Sequence, residues 1–174
     1  MKFVPYIFYK FNNIIIKKIK PDTKTINRLE NEAYWLKILN KYNIGPKFIK
    51  LEKDTLYMEF IDAVPLVEYQ CDNKELKQLL KDLLEQCYTL DLLKVNKLEM
   101  HHPLKHVLVR NKKIILIDFE RCKLTEKPKN ITQVCQFIAR YYKIPSILKK
   151  AKEYKQTYSR KSFEELCQTL TSII

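Results

Sequence analysis

Glycine is almost missing from this chain, Gly45 being the only one in 174 residues. A phosphate-cradling Walker loop and a dinucleotide fingerprint each need several glycines within a short run, so both are excluded. Any phosphate must be held some other way. The five cysteines (Cys71, Cys87, Cys122, Cys135, Cys167) are odd in number, scattered and without a C-x-x-C pair, which argues against a disulfide framework and a zinc site. Reduced, half-buried thiols are expected. No apolar run approaches the roughly eighteen residues of a membrane span and no signal peptide is evident, so no membrane partner and a cytoplasmic location are expected. Acidic residues are also scarce: Lys plus Arg number 33 against 20 Asp plus Glu, a formal net charge of +13. That suits an anionic partner such as a nucleotide, RNA or an acidic protein, although a lysine-rich proteome would give the same surface with no such partner.

With 46% hydrophobic residues the chain can bury a core, and its length suits one domain in two lobes. Phe3 to Phe11 alternates loosely, Asn12 and Asn13 make a turn, and Ile14 to Ile19 is an apolar run carrying Lys17 and Lys18, which together predict a hairpin. Pro21 and Asp22 break the strand. Ile26, Leu29, Ala33, Leu36 and Leu39 then share one helix face, with Glu30 and Glu32 riding on that helix. It ends in Asn43, Ile44, Gly45 and Pro46, where Gly45 suits the left-handed residue after a helix and Pro46 forbids continuation. Phe48 to Leu51 and Leu56 to Ile61 read as another strand pair, and Ala63 to Tyr69 as a connector.

Leu76, Leu79, Leu80, Leu83, Leu84 and Cys87 predict an amphipathic helix starting near Asp72 or Asn73. Val107 to Val109 and Ile114 to Ile117 predict a second hairpin across the polar turn Arg110 to Lys113. The stretch around it, Leu98 to Arg121, holds all three histidines, with Glu99 before the first strand and Asp118 after the second. A polar segment from Cys122 to Lys129 leads to a helix whose first residue, Asn130, is expected to cap it while Gln133 reaches back. Pro145 suits the first turn of the next helix, and Ser162 with Glu165 the start of the last.

Lys17 on a strand, Glu32 on the following helix, a strand ending MEFI (Met58 to Ile61), a helix, and a hairpin ending IDFE (Ile117 to Glu120) together resemble a protein kinase-like fold. The chain is most similar to small atypical archaeal kinases: the RIO type and the kinase that partners the tRNA threonylcarbamoyl-modification complex. The segment IKKIKPDTKTINRLENEAYWLKILNKYNIGP carries the most specific part of the likeness. The resemblance implies an α+β, minimal bilobal protein kinase-like fold. Residues 1–62 would form a small β-rich N-lobe with one helix, and residues 63–174 a mainly helical C-lobe carrying a catalytic hairpin. It also implies an atypical serine/threonine protein kinase using ATP and Mg2+ on a protein or small-molecule acceptor, with RNA or an RNA-modifying complex as a further partner.

In that family the strand lysine pairs with the helix glutamate and with nucleotide phosphates, giving these roles to Lys17 and Glu32; Lys18 is the alternative lysine, since only one of two neighbours on a strand enters a given face. Met58, Glu59, Phe60 and Ile61 would form the hinge that receives adenine. Asp118 would bind the metal, because magnesium takes hard oxygen ligands, and Glu120, standing where glycine is usual, could add a second carboxylate. Before the hairpin this chain departs from the family pattern. Glu99 can stand for the base if two extra residues are accommodated, and His101 takes that place if they are not. His106 replaces the metal-binding asparagine, although imidazole prefers softer metals, and Lys105 could neutralise charge on the transferred phosphate. The missing glycine-rich loop and the short 122–129 segment leave a noncatalytic pseudokinase-type module open, binding RNA or a protein through its basic surface. A metal hydrolase built on His102 and His106 is a third reading, weakened by Pro103, which disfavours the helix that their spacing would need.

Overall fold

The computed structural model describes residues 5–21 and 27–171. The expected strand start at Phe3, the breaker Asp22 and the helical position Ile26 lie outside them. The chain divides into two compact units, residues 1–63 with 115–122, and residues 64–114 with 123–174. The architecture is α+β: a small antiparallel sheet with one helix in the first unit, and mostly helices in the second.

In the first unit β1 (Tyr6–Phe11) and β2 (Ile14–Ile19) form the expected hairpin, with Asn12 in the left-handed conformation at its turn. β3 (Phe48–Glu52) and β4 (Thr55–Glu59) form a second hairpin, and the sheet order is β1-β2-β4-β3. Lys17 lies opposite Phe8 on one side and Leu56 on the other. Strand alternation therefore turns Lys17 to the covered face, where it is 4% exposed, and Lys18 to the solvent face. Between the hairpins runs α1 (Arg28–Leu39), which buries Leu29, Ala33, Leu36 and Leu39 completely or nearly so. Each such leucine contributes roughly 1.5–3 kcal/mol by leaving water. The helix tightens into a 3-10 turn (Asn40–Tyr42), and Asn43, rather than Gly45, takes the first left-handed position after it. Gly45 is left-handed as well, at φ +81°. A Cβ there would lie 2.8 Å from Phe119 Cε2, so close approach as well as backbone freedom requires glycine.

In the second unit the expected connector holds a short strand, β5 (Val64–Pro65). Next comes α2 (Asn73–Leu92), capped by Asp72, whose carboxylate accepts from the N–H of Glu75 at 2.7 Å. β6 (Val95–Asn96) follows, and then the hairpin of β7 (Val107–Arg110) and β8 (Lys113–Leu116), whose last two residues already belong to the first unit. Its turn residues Asn111 and Lys112 both have positive φ, which matches the right-handed twist of the flanking strands. β5 adds to β7 in the order β5-β7-β8. The polar segment after Cys122 also contains a strand, β9 (Lys123–Leu124), paired with β6.

α3 (Asn130–Tyr141), α4 (Ile147–Thr157) and α5 (Arg160–Thr171) complete the unit. Their starts differ from expectation. Asn130 is fully buried and does not cap its own helix: its Oδ1 accepts from Lys97 N–H at 2.9 Å, and its Nδ2 donates to Asp91 Oδ1 at 2.7 Å and to Val95 O at 2.6 Å. Asp91, from the end of α2, accepts the N–H groups of Asn130 and Ile131 in its place. A tertiary cap thus displaces the local one. Pro145 precedes α4 by two residues, within the turn closed by the bond from Leu148 N–H to its carbonyl. At α5 the capping side chain is Ser159, whose Oγ accepts from Ser162 N–H at 3.2 Å, so Ser162 sits within the first turn.

Candidate functional site

One face of α1 carries Arg28, Asn31, Glu32 and Trp35, spaced i, i+3, i+4, i+7 on a helix otherwise read for its apolar face. All four point at the same short segment after β8. Asn31 Nδ2 donates to the carbonyls of Glu120 (2.8 Å) and Cys122 (2.9 Å), and Trp35 Nε1 donates to Cys122 O at 3.0 Å. Glu32 accepts the N–H of Phe119 at 3.2 Å, and Phe119 itself is fully buried beside Gly45. The segment is therefore braced through its backbone, which fixes where Asp118 and Glu120 project.

Within this frame the amine of Lys17 meets three carboxylates: Glu32 at 2.8 Å, Glu120 at 3.0 Å and Asp118 at 3.9 Å. The aromatic face of Tyr6 lies 4.1 Å from the same amine, and Arg28 holds the other oxygen of Glu120 at 3.3 Å. Burial by itself would lower the Lys17 amine, but the charges of Glu32, Asp118 and Glu120 more than reverse it, and lysine is held well above its usual range. Glu32 is nearly inaccessible; its burial outweighs the stabilising pull of Lys17 and raises its carboxyl. Burial, followed by the neighbouring Glu120, also raises the phenol of Tyr6. The Lys17–Glu32 pair is buried deeply enough that removing Lys17 leaves Glu32 without its counter-charge, at a cost of roughly 3–5 kcal/mol.

Asp118 differs from the other two carboxylates. Its side chain is 34% exposed, against 1% for Glu32 and 10% for Glu120. Its backbone stands at φ +66°, a left-handed conformation costing on the order of 1–3 kcal/mol at a non-glycine residue and concentrated where a side chain must be aimed. Glu32, Asp118 and Glu120 each offer an oxygen, and those oxygens lie within 4.8 Å of one another. Three carboxylates against Lys17 and Arg28 leave one negative charge over, and an all-oxygen donor set is what a hard divalent cation takes. The residues present fit magnesium.

The other expected site residues fall as follows. Met58 and Glu59 end β4, with Met58 buried; Phe60 and Ile61 follow the strand. The N–H of Glu59 donates to Lys47 O at 2.8 Å, and that of Phe60 to Asn13 O at 2.7 Å, so both are used inside the unit. Lys10 stands over the Phe60 ring at 3.8 Å. Glu99, His101, Lys105 and His106 belong to the second unit. Glu99 and its predecessor Leu98 both have φ +57°, two consecutive non-glycine residues in the left-handed region. The carbonyl of Glu99 accepts from His102 N–H, that of Pro103 from His106 N–H, and Arg140 Nη2 donates to His101 O. Arg28, Asn31 and Trp35 were missed by sequence reasoning, although their helical spacing with Glu32 was a usable signal.

No protein-family model matches the sequence, and no curated protein matches it. Solved structures do. The chain is similar to a Rio2 kinase-ADP/Mg2+-phosphoaspartate complex from Chaetomium thermophilum, with a TM-score of 0.58 and 14% identity over 95% of this chain and 69% of that one. It is likewise similar to a second structure of the Rio2 kinase from the same organism, with a TM-score of 0.56 and 14% identity over 91% of this chain and 65% of that one. Among the described residues no helix is long and apolar enough to cross a membrane. The architecture of this chain is that of a kinase-like fold, shared with these Rio2 structures.

Proposed function

We propose that this protein is an ATP-dependent phosphotransferase of the atypical serine/threonine kinase type, working in the cytoplasm. The observation that carries the reading is the convergence of Lys17, Glu32, Asp118 and Glu120 in one unit, with the amine 3.9 Å from Asp118. The fold is shared with a kinase whose structure holds ADP and Mg2+. Phosphoryl transfer asks little covalent chemistry of a protein and much positioning and charge stabilisation. Lys17 binds and orients phosphate oxygens, Glu32 fixes the direction of that amine, and Met58 to Ile61 border the base. Asp118 and Glu120 would hold Mg2+, which when bound neutralises phosphate charge. The family resemblance assigns to Glu99 or His101, in the second unit, the part of orienting the acceptor hydroxyl and taking its proton, and to Lys105 that of offsetting charge on the transferred group. His106 stands where a second metal ligand is usual, and its imidazole suits a hydrogen-bonding role better than magnesium.

Glu120 sets this site apart. Its carboxylate occupies the Lys17 amine from a position where the wider family has glycine, so incoming phosphate competes with it. Slow turnover follows from that competition. Labelled-ATP incubation tests the reading: Mg2+-dependent phosphate incorporation, lost in Asp118→Ala, supports transfer. A noncatalytic binding module is the second reading, favoured by the same Glu120 contact; in that case nucleotide binds without transfer, and function survives Asp118→Ala combined with Glu99→Ala.

A further inference from the structure

We propose that the second unit carries a separate site for a ribose-phosphate group, in the cavity between the His101 loop and helices α3 and α4. This cavity has a volume of about 480 Å³, within the range of small-molecule sites. Its rim carries Lys129, Lys152 and Lys155 together with His101, while Gln133 and Gln136 supply amides, and no carboxylate lines it. Several basic side chains elsewhere in the same unit are matched with acids. On α4 itself Lys150 pairs with Glu153 at 2.7 Å and Glu165 at 3.1 Å; Lys94 pairs with Glu126, Lys112 with Glu75, and Arg160 with Glu85 and Glu164. Among the described residues the three lysines of the cavity form no ion pair. Unmatched lysines converging on one concave surface repel one another, an arrangement that an anion relieves.

Two details narrow the ligand. Lysine is a point donor well suited to phosphate oxygens, and three such donors around one cavity match a phosphate ester better than a single carboxylate. Gln136, exposed on the cavity rim, offers an amide oxygen that accepts a donor from the ligand. A sugar hydroxyl provides that donor and an isolated anion does not. The exposed apolar side of Leu148 offers a surface for the carbon face of a sugar. The assignment rests on Lys129, Lys152, Lys155 and Gln136 rather than on His101, the alternative base above, and does not depend on phosphoryl transfer by the first unit.

Titration calorimetry and amide NMR with ribose 5-phosphate, ribose and a short oligouridylate test it, using the full chain in the Asp118→Asn form to silence the nucleotide site proposed above. Ribose 5-phosphate binds saturably, shifts the amides of Thr132 and Gln136, and weakens as salt is added; ribose alone does not bind. Lys152→Glu combined with Lys155→Glu, at two exposed helix positions, lowers affinity by at least about tenfold with the circular dichroism melt unchanged. Tighter binding of oligouridylate than of ribose 5-phosphate, lost in the same double variant, also supports the site and assigns its source as RNA. Binding of neither phosphate ligand, or equal binding to a polyglutamate peptide, overturns the proposal.

Discussion

Asp91 is buried at the end of α2, yet it accepts hydrogen bonds from Asn130 N–H, Asn130 Nδ2, Ile131 N–H and Tyr154 Oη. Two effects oppose each other there. Burial disfavours the charged carboxylate, and the four donors favour it; burial is the larger and lifts the group from 3.8 to about 6. Because the folded value lies above the unfolded one, the folded protein binds this proton more readily between about pH 4 and pH 6. The contribution to stability is therefore full below the unfolded value and is lost as pH rises through about 6. Roughly two units at 1.36 kcal/mol each amount to about 3 kcal/mol. Urea unfolding of the wild type and Asp91→Asn across pH 4 to 7 isolates the effect. The asparagine variant places an amide among N–H donors and is less stable throughout, but that offset does not titrate. The stability gap between the two proteins should widen by up to about 3 kcal/mol on going from pH 7 to pH 4. A constant gap, or one that narrows toward acid, would show that the four donors win and that the carboxylate sits at or below its ordinary value. The result bears on function, because Asn130, held by Asp91, fixes the N–H of Lys97 directly before the left-handed Leu98–Glu99 pair.

Gly45→Ala combines a left-handed backbone with a Cβ pressed against Phe119, and should cost roughly 2–4 kcal/mol in denaturant melts. Lys17→Met leaves three carboxylates around an uncharged side chain and should destabilise by roughly 3–5 kcal/mol, while Lys17→Met combined with Glu32→Gln should recover part of that loss. A double-mutant cycle showing strict additivity would deny the coupling. Glu120→Gln should tighten the binding of metal-free ATP about tenfold by releasing Lys17, and should reduce the further gain from Mg2+. Calorimetry at zero and saturating Mg2+ reads both changes.

The fold was legible because its signals are local. The Asn12–Asn13 turn, the periodicity of α1 and α2 and the β7–β8 hairpin each follow from residues a few positions apart. The two-residue strands β5, β6 and β9 were not legible, since two residues carry no alternation and their ladders depend on partners up to 45 positions away. Asn130 misled for the same reason. A residue with the chemistry of a helix cap is spent on a tertiary network linking Asp91, Val95 and Lys97. In the site, Lys17, Glu32 and Asp118 stood out by residue type and order, and burial separates Lys17 from Lys18. The bracing of the 119–122 segment by Asn31 and Trp35 was missed, because polar residues on a helix read as solvent-facing until something is found to cover them.

The central claim is that Lys17 and Asp118 together grip a nucleotide phosphate. Titration calorimetry of the intact protein with ATP and Mg2+ tests it most directly, beside Asp118→Asn, a conservative change at a partly exposed side chain, with a thermal melt to confirm folding. Saturable binding to the wild type, weakened at least about tenfold in the folded variant, is the expected result. Absence of ATP binding to the wild type, with and without Mg2+, would contradict it.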